Sequence, residues 1–274
     1  MENTHSTEKG NLSTQEWYDF IAMVANLAPG IHAGEKEATK QLLEMLDIKS
    51  EDHVLDVGSG SGITAAMIVE ETGARVTGID LSPKMVLKAK ERAEKLGISD
   101  RADFHVRDIL TLDFKENTFD IVLFESLLTI MPGDPADALA EMVRVLKPEG
   151  RIGGNEATID KDVLPELNDL FEKHPAIQRT YTVESLCKQF EDAGIEILDL
   201  VTETKSQAPA FDLKSALNEI GCGGLISFFI TAYPKLVWKL ISDRRFREAN
   251  RVDAQVTGLS KQYMGYVLIA GQKQ

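Results

Sequence analysis

The chain has 274 residues, 43% hydrophobic and 27% charged, with 20 glycines and 9 prolines. That is ample for one sizeable core and excludes a disordered or fibrous chain. Its 44 acidic residues against 30 basic ones leave a formal net charge of -14, a surface that repels phosphate backbones and removes nucleic acid from the expected partners. Residues 1–12 read as a solvated tail. Ser13 and Glu16 have the spacing of a capping box. Behind them Trp17, Phe20, Ile21, Val24 and Leu27 recur at helical spacing until Pro29-Gly30 breaks the pattern. A second helix is expected over Glu35–Leu46, with Ala38, Leu42 and Leu46 on one face. Residues 13–50 thus read as a helical cover.

From His53 short apolar runs alternate with helical stripes. Strands are expected over residues 54–57, 75–79, 102–106, 119–124 and about 151–155, and helices over 63–72 and 83–96. Pro83 opens the latter helix and Gly97 stops it. Leu139, Met142, Val143 and Leu146 stripe the helix that precedes the turn Lys147-Pro-Glu-Gly150. Alternation of this length implies right-handed crossovers and an α/β fold, a doubly wound, mostly parallel sheet with helices on both faces. Thr182 caps a helix striped by Val183, Leu186 and Phe190 and stopped by Gly194, before a strand over 195–201. Residues 204–262 fit neither sheet nor crossover and read as an inserted helical lid or interface segment. Tyr266–Ala270 returns as the last strand, so the main domain is expected over 51–203 and 263–274.

The two cysteines, Cys187 and Cys222, cannot build a disulfide framework or a four-thiolate zinc site. The five histidines show no paired ligand spacing, and no metal is expected. The first ten residues are polar, and no charge-free run exceeds the 15 residues of 220–234 against the ~20 that span a bilayer. A soluble, cytoplasmic protein is expected.

The most informative stretch is Val54-Leu-Asp56-Val-Gly58-Ser-Gly60-Ser-Gly62, after a strand and before a helix. Glycines let a backbone turn sharply and approach a ligand closely. Asp80 ends the next strand, where a carboxylate can accept both hydroxyls of a ribose. Together they point to an adenosine-containing cofactor at the carboxyl ends of the strands. A dinucleotide loop has its third glycine where this chain has Ile63, and Asp56 would repel a pyrophosphate while suiting a cationic ligand. An NAD(P)-dependent oxidoreductase is therefore the alternative rather than the first reading.

Val54–Gly62 resembles motif I of the class I S-adenosylmethionine (SAM) dependent methyltransferases, which have a Rossmann-like fold. Phe119-Asp-Ile-Val-Leu-Phe-Glu-Ser126 and Val145-Leu-Lys-Pro-Glu-Gly-Arg151 resemble that family's fourth- and fifth-strand motifs. The likeness is greatest to the small-molecule branch with the ubiquinone and menaquinone C-methyltransferases and the phosphoethanolamine N-methyltransferases. It departs at Glu35, where relatives often carry a second glycine. The resemblance implies that Gly58, Ser59 and Gly60 lie along the methionine part of SAM, with Asp56 near its ammonium. Asp80 would hold the ribose hydroxyls, and Leu81 and Met85 would flank the adenine. Asp108, also readable as a turn aspartate, would accept the adenine amino group beside Ile109. Phe124 and Glu125 would sit under the methionine tail.

Methyl transfer is an in-line displacement in which the protein positions, dehydrates and sometimes removes a proton. Candidates at the fourth and fifth strand ends are Glu125-Ser126 and Asn155-Glu156, with His32 and Tyr18 from the cover. Glu156 reads equally as a loop cap. The expected partner is a small, lipophilic organic acceptor. A non-catalytic SAM-binding or membrane-surface protein is a further alternative. From Lys235 to Arg251 there are six basic and two acidic residues beside Trp238 and the apolar run 225–233. Peripheral membrane contact through 223–251 or a homodimer is the expectation there.

Overall fold

The computed structural model describes Glu16, residues 35–160, Val163, residues 165–203 and residues 233–274. The first expected helix apart from Glu16, Tyr18, His32, Cys222 and the stretch 204–232 lie outside the described residues. Helix α1 spans Glu35–Leu46, β1 His53–Val57, α2 Ile63–Thr72, β2 Arg75–Asp80, α3 Pro83–Leu96 and β3 Ala102–Val106. A 3-10 turn at Ile109–Thr111 leads to β4 (Phe119–Glu125), α4 (Pro135–Val145), β5 (Leu146–Ile159) and α5 (Pro165–Lys173). Then follow α6 (Val183–Asp192), β6 (Ile195–Glu203), α7 (Tyr233–Ser242), α8 (Arg244–Tyr263) and β7 (Met264–Lys273).

The strands form one seven-stranded sheet in the order β3-β2-β1-β4-β5-β7-β6. The first five pair in parallel, and β7 runs antiparallel to both β5 and β6. Alternating residues split the core between two faces. On one face, Leu42 and Leu46 of α1, Ile68 of α2 and Ala89 of α3 cover Val54, Val76, Ile121 and Leu123. On the other, Leu139 and Met142 of α4 and Leu186 and Phe190 of α6 cover Leu55, Ile79, Val122 and Phe124. β2 and β4 leave β1 on opposite sides, which opens a crevice at its carboxyl end.

β5 and β7 exceed the sequence expectation by the most. β5 begins at Leu146 and takes in the Lys147–Gly150 turn, with Glu149 held at φ 61°. Both β5 and β7 are extended by pairing with each other, from Arg151↔Gln272 to Ile159↔Met264, a partner that local sequence does not reveal. Helix α5 was not expected. Its Leu167 and Phe171 pack on Val252 and Val256 of α8 in a small separate cluster. His174 fastens this pair: Nδ1 accepts from the Ala176 and Ile177 amides at 3.2 Å, which leaves Nε2 to donate to Asp253 at 3.1 Å. Among the described residues no helix is long and apolar enough to cross a membrane.

Gly62, at φ 76°, begins α2 where a Cβ would lie 3.0 Å from both Ala89 Cβ and Phe104 Cζ. It therefore does the close-packing work that the sequence seemed to lack, one residue earlier than a dinucleotide loop places it. Gly62→Ala is expected to lower the unfolding free energy by roughly 1–3 kcal/mol, from left-handed strain and overpacking. Urea denaturation reads this, and an unchanged midpoint would contradict it.

Candidate active site

The glycine loop is strapped to the end of β2. The Gly58 and Ser59 amides donate to the Ile79 carbonyl at 2.8 and 2.9 Å, and the Gly60 amide donates to Asp80 Oδ2 at 3.0 Å. Gly58 and Gly60 sit at φ 74° and 52°, in the left-handed region. A Cβ on Gly60 would meet nothing nearer than the Gly58 carbonyl at 4.0 Å, so this stretch of backbone lies open. Asp80 Oδ1 accepts the Ser82 amide at 2.8 Å, while Ser82 itself caps α3 through Met85 N. Each Asp80 oxygen keeps acceptor capacity for a diol. Burial pushes the Asp80 pKa up against these two amide bonds.

Strand alternation gathers Asp56, Glu125 and Asn155 on the sheet face covered by α1, α2 and α3. Glu125 Oε2 accepts from Thr39 Oγ1 on α1 and from Asn155 Nδ2, both at 3.0 Å, and Oε1 accepts from Thr64 Oγ1 on α2 at 2.7 Å. Thr39 and Thr64 did not emerge from the sequence reading. The available signal was a hydroxyl inside the apolar stripe of each helix, where burial demands a partner. Asp56 is buried beside this cluster, and neither its Oδ2 nor the Ser59 hydroxyl has a hydrogen-bond partner. Burial first, then the charges of Glu125 and Asp80, push the Asp56 pKa up to about 8.

The opposite face receives Glu156 and Phe124. Phe124 is in the core, its ring against Phe190 with centroids 6.0 Å apart. Glu156 accepts from the Leu127 and Leu128 amides at 2.6 Å, and from the Thr129 amide and hydroxyl at 3.4 and 2.8 Å. Its burial raises its pKa to about 7 in spite of these bonds. Arg179 holds the same loop from its carbonyl side, donating to Leu128, Met131 and Gly133 oxygens at 2.9, 3.1 and 2.7 Å. Between the clamped loop and β4, Ser126 is forced to φ 49°. The two candidates Asn155 and Glu156 are thus separated by the sheet. Among the remaining predicted residues, Leu81 is 50% exposed, Met85 and Ile109 are buried, and Asp108 caps the 3-10 turn through the Leu110 amide at 3.0 Å.

Comparison with known proteins gives this crevice its context. The family described as Methyltransferase domain matches residues 54–150. Methyltransferase GfsG of Streptomyces halstedii is 31% identical over 217 residues, covering 74% of this chain and 77% of that one. The chain belongs to the class I SAM-dependent methyltransferases. Phosphoethanolamine N-methyltransferase 1 of Triticum aestivum is 32% identical over 192 residues, covering 69% of this chain but 37% of that relative. The chain thus spans little more than a third of that relative's length. Among solved structures, the 4+2 cyclase SpnF superposes with a TM-score of 0.72 at 23% identity, over 96% of this chain and 97% of that one. That likeness shows a shared fold. The nicotinamide-dependent alternative finds no support among these matches.

The cofactor of the methyltransferases fits the residues present. SAM carries a sulfonium and an ammonium, and the crevice holds a buried carboxyl oxygen without a partner, an open glycine backbone and an aspartate at the neighbouring strand end. Asp56 also makes a prediction for the unliganded methyltransferase. Its pKa is raised in the folded state, so its contribution to stability is complete below the ordinary value of 3.8 and is lost as pH rises to about 8. Asp56→Asn should flatten the fall in denaturation midpoint between pH 5 and pH 8, limits of order set by those two values. An identical slope in the variant would contradict the assignment.

Proposed function

We propose that this methyltransferase transfers the methyl group of SAM to a small, lipophilic organic acceptor by in-line displacement. The buried Asp56 oxygen without a hydrogen-bond partner, beside the carboxyl groups of Glu125 and Asp80, carries the reading. In it Asp56 receives the ammonium of SAM, and Gly58, Ser59 and Gly60 lie along the methionine chain. Asp80 takes the ribose hydroxyls, Leu81 and Met85 flank the adenine, and Asp108 with Ile109 meets its edge. SAM, when bound, supplies a methyl group activated by positive sulfur.

The chain's own residues position and dehydrate. Thr39, Thr64 and Asn155 fix Glu125 beside the methionine end through three side-chain hydrogen bonds. Phe124 supports that end from the far face of the sheet. Glu156 acts as a positioning residue: its side chain takes three backbone amides and one hydroxyl, all from residues 127–129, and it exposes no surface. A base, where the acceptor needs one, is left to the cover, where His32 and Tyr18 remain the candidates. Acceptor identity separates relatives by name, as with phosphoethanolamine for the Triticum aestivum protein. A cytoplasmic setting belongs to the same proposal.

Two experiments test it. Incubation with methyl-labelled SAM and a metabolite library should label one class of small molecule, and binding of S-adenosylhomocysteine without any labelled product would favour the non-catalytic reading. Asp80→Ala should weaken S-adenosylhomocysteine binding by about 1–3 kcal/mol in isothermal titration, the loss of hydrogen bonds to a charged group. Unchanged affinity would remove the ribose assignment.

A further inference from the structure

Helix α7 presents large apolar side chains to solvent at helical spacing. Trp238 is 69% exposed and Ile241 68%, one turn apart on the same face as the exposed Pro234. A shallow groove of about 410 Å³ runs between Pro234, Lys235, Trp238 and Lys239. Burying such a face in the helix's own core is the usual fate of a tryptophan, and an exposed cluster of this kind marks an interaction surface.

The charge around it is the reverse of the molecule's. Residues 235–251 hold six basic and two acidic side chains, a local excess of four positive charges in a chain of net charge -14. The acidic pair is already engaged, Asp243 by Arg245 at 3.0 Å and Glu248 by Arg251 at 2.7 Å, and Glu16 also pairs with Arg245 at 3.0 Å, which lowers the local excess to three. Lys235 is exposed in the first turn of α7 and Arg244 at the start of α8. Lys239 lies over the Phe246 ring at 4.2 Å, and Arg247 caps the helix by donating to the Leu240 and Ile241 carbonyls at 3.0 and 2.6 Å while remaining exposed. A two-fold contact with a second copy through this face would set its basic residues against one another. An anionic bilayer offers both a continuous negative surface and an apolar layer for Trp238 and Ile241.

We infer that α7 and the start of α8 form a peripheral docking face for anionic lipid, with Trp238 and Ile241 entering the interface and Lys235, Arg244 and Arg247 lying among the headgroups. The lysine and arginine stems let the charges stay at headgroup level while the helix lies in the plane. None of the residues it names is among those placed at the cofactor crevice, so it stands or falls independently of the acceptor.

The test is co-sedimentation of the full chain with vesicles of phosphatidylcholine alone, and with about 30 mol % phosphatidylglycerol. The expected result is binding to the anionic vesicles only, reversed by high salt. Trp238→Ser with Ile241→Ser, and separately Lys235→Glu with Arg244→Glu, should each lower the fraction bound by roughly tenfold. Both variants should bind S-adenosylhomocysteine like the parent, which shows that they are folded. No binding to anionic vesicles, or equal binding by the variants, would overturn the inference. So would a dimer in sedimentation equilibrium that Trp238→Ser dissociates, since the face would then belong to a second copy.

Discussion

A buried carboxyl group without a partner is the constraint around which this crevice is arranged. Asp56, one residue before the end of β1, has Oδ2 unsatisfied next to Glu125 and Asp80, and its pKa is pushed up to about 8. Removing such a group from water is costly, and two more carboxyl groups nearby increase the cost. A fold retains an arrangement of that kind when a ligand completes it. A cation seated there would relieve burial and repulsion together, which gives the protein a reason to prefer SAM over a pyrophosphate-bearing cofactor.

The neighbouring structure serves that constraint. The loop after β1 is tied to β2 by three backbone amides, one of them ending on Asp80 itself, so the glycine loop and Asp80 move as one unit. Glu125 is held by side chains from α1, α2 and β5, so the helix entering from the N-terminal cover is bonded to the floor of the site. On the reverse face, Glu156 and Arg179 clamp the loop after β4 from its amide and carbonyl sides. The left-handed Ser126 is where the two systems meet, and strain concentrated at one residue of a site is tolerated when its surroundings fix it on both sides.

Much of this was legible in the sequence, because the signals are local. The short strand, the glycine loop and Asp80 lie within residues 54–80, and the periodicity that reveals β1 to β4 and their helices spans one element at a time. The capping of α3 by Ser82 and of α6 by Thr182 follows from single residues. What was not legible depends on partners far apart in the chain. The length of β5 is set by β7, more than a hundred residues later, and α5 is stabilised by α8. Thr39 meets Glu125 across 86 positions, and only the three-dimensional path brings them together. Asn155 and Glu156 looked like a pair in sequence, yet the two-residue period of a strand sends one to each face.

The most direct test is the proton count on binding. Isothermal titration of S-adenosylhomocysteine near pH 7, in buffers of different ionisation enthalpy, reports whether a proton leaves the protein. With Asp56 protonated in the free protein and ionised against the ligand's ammonium, about one proton should be released, falling toward zero well above pH 8. Heats that do not change with buffer, together with tight binding, would mean that the carboxyl on β1 does not meet the ligand's positive charge.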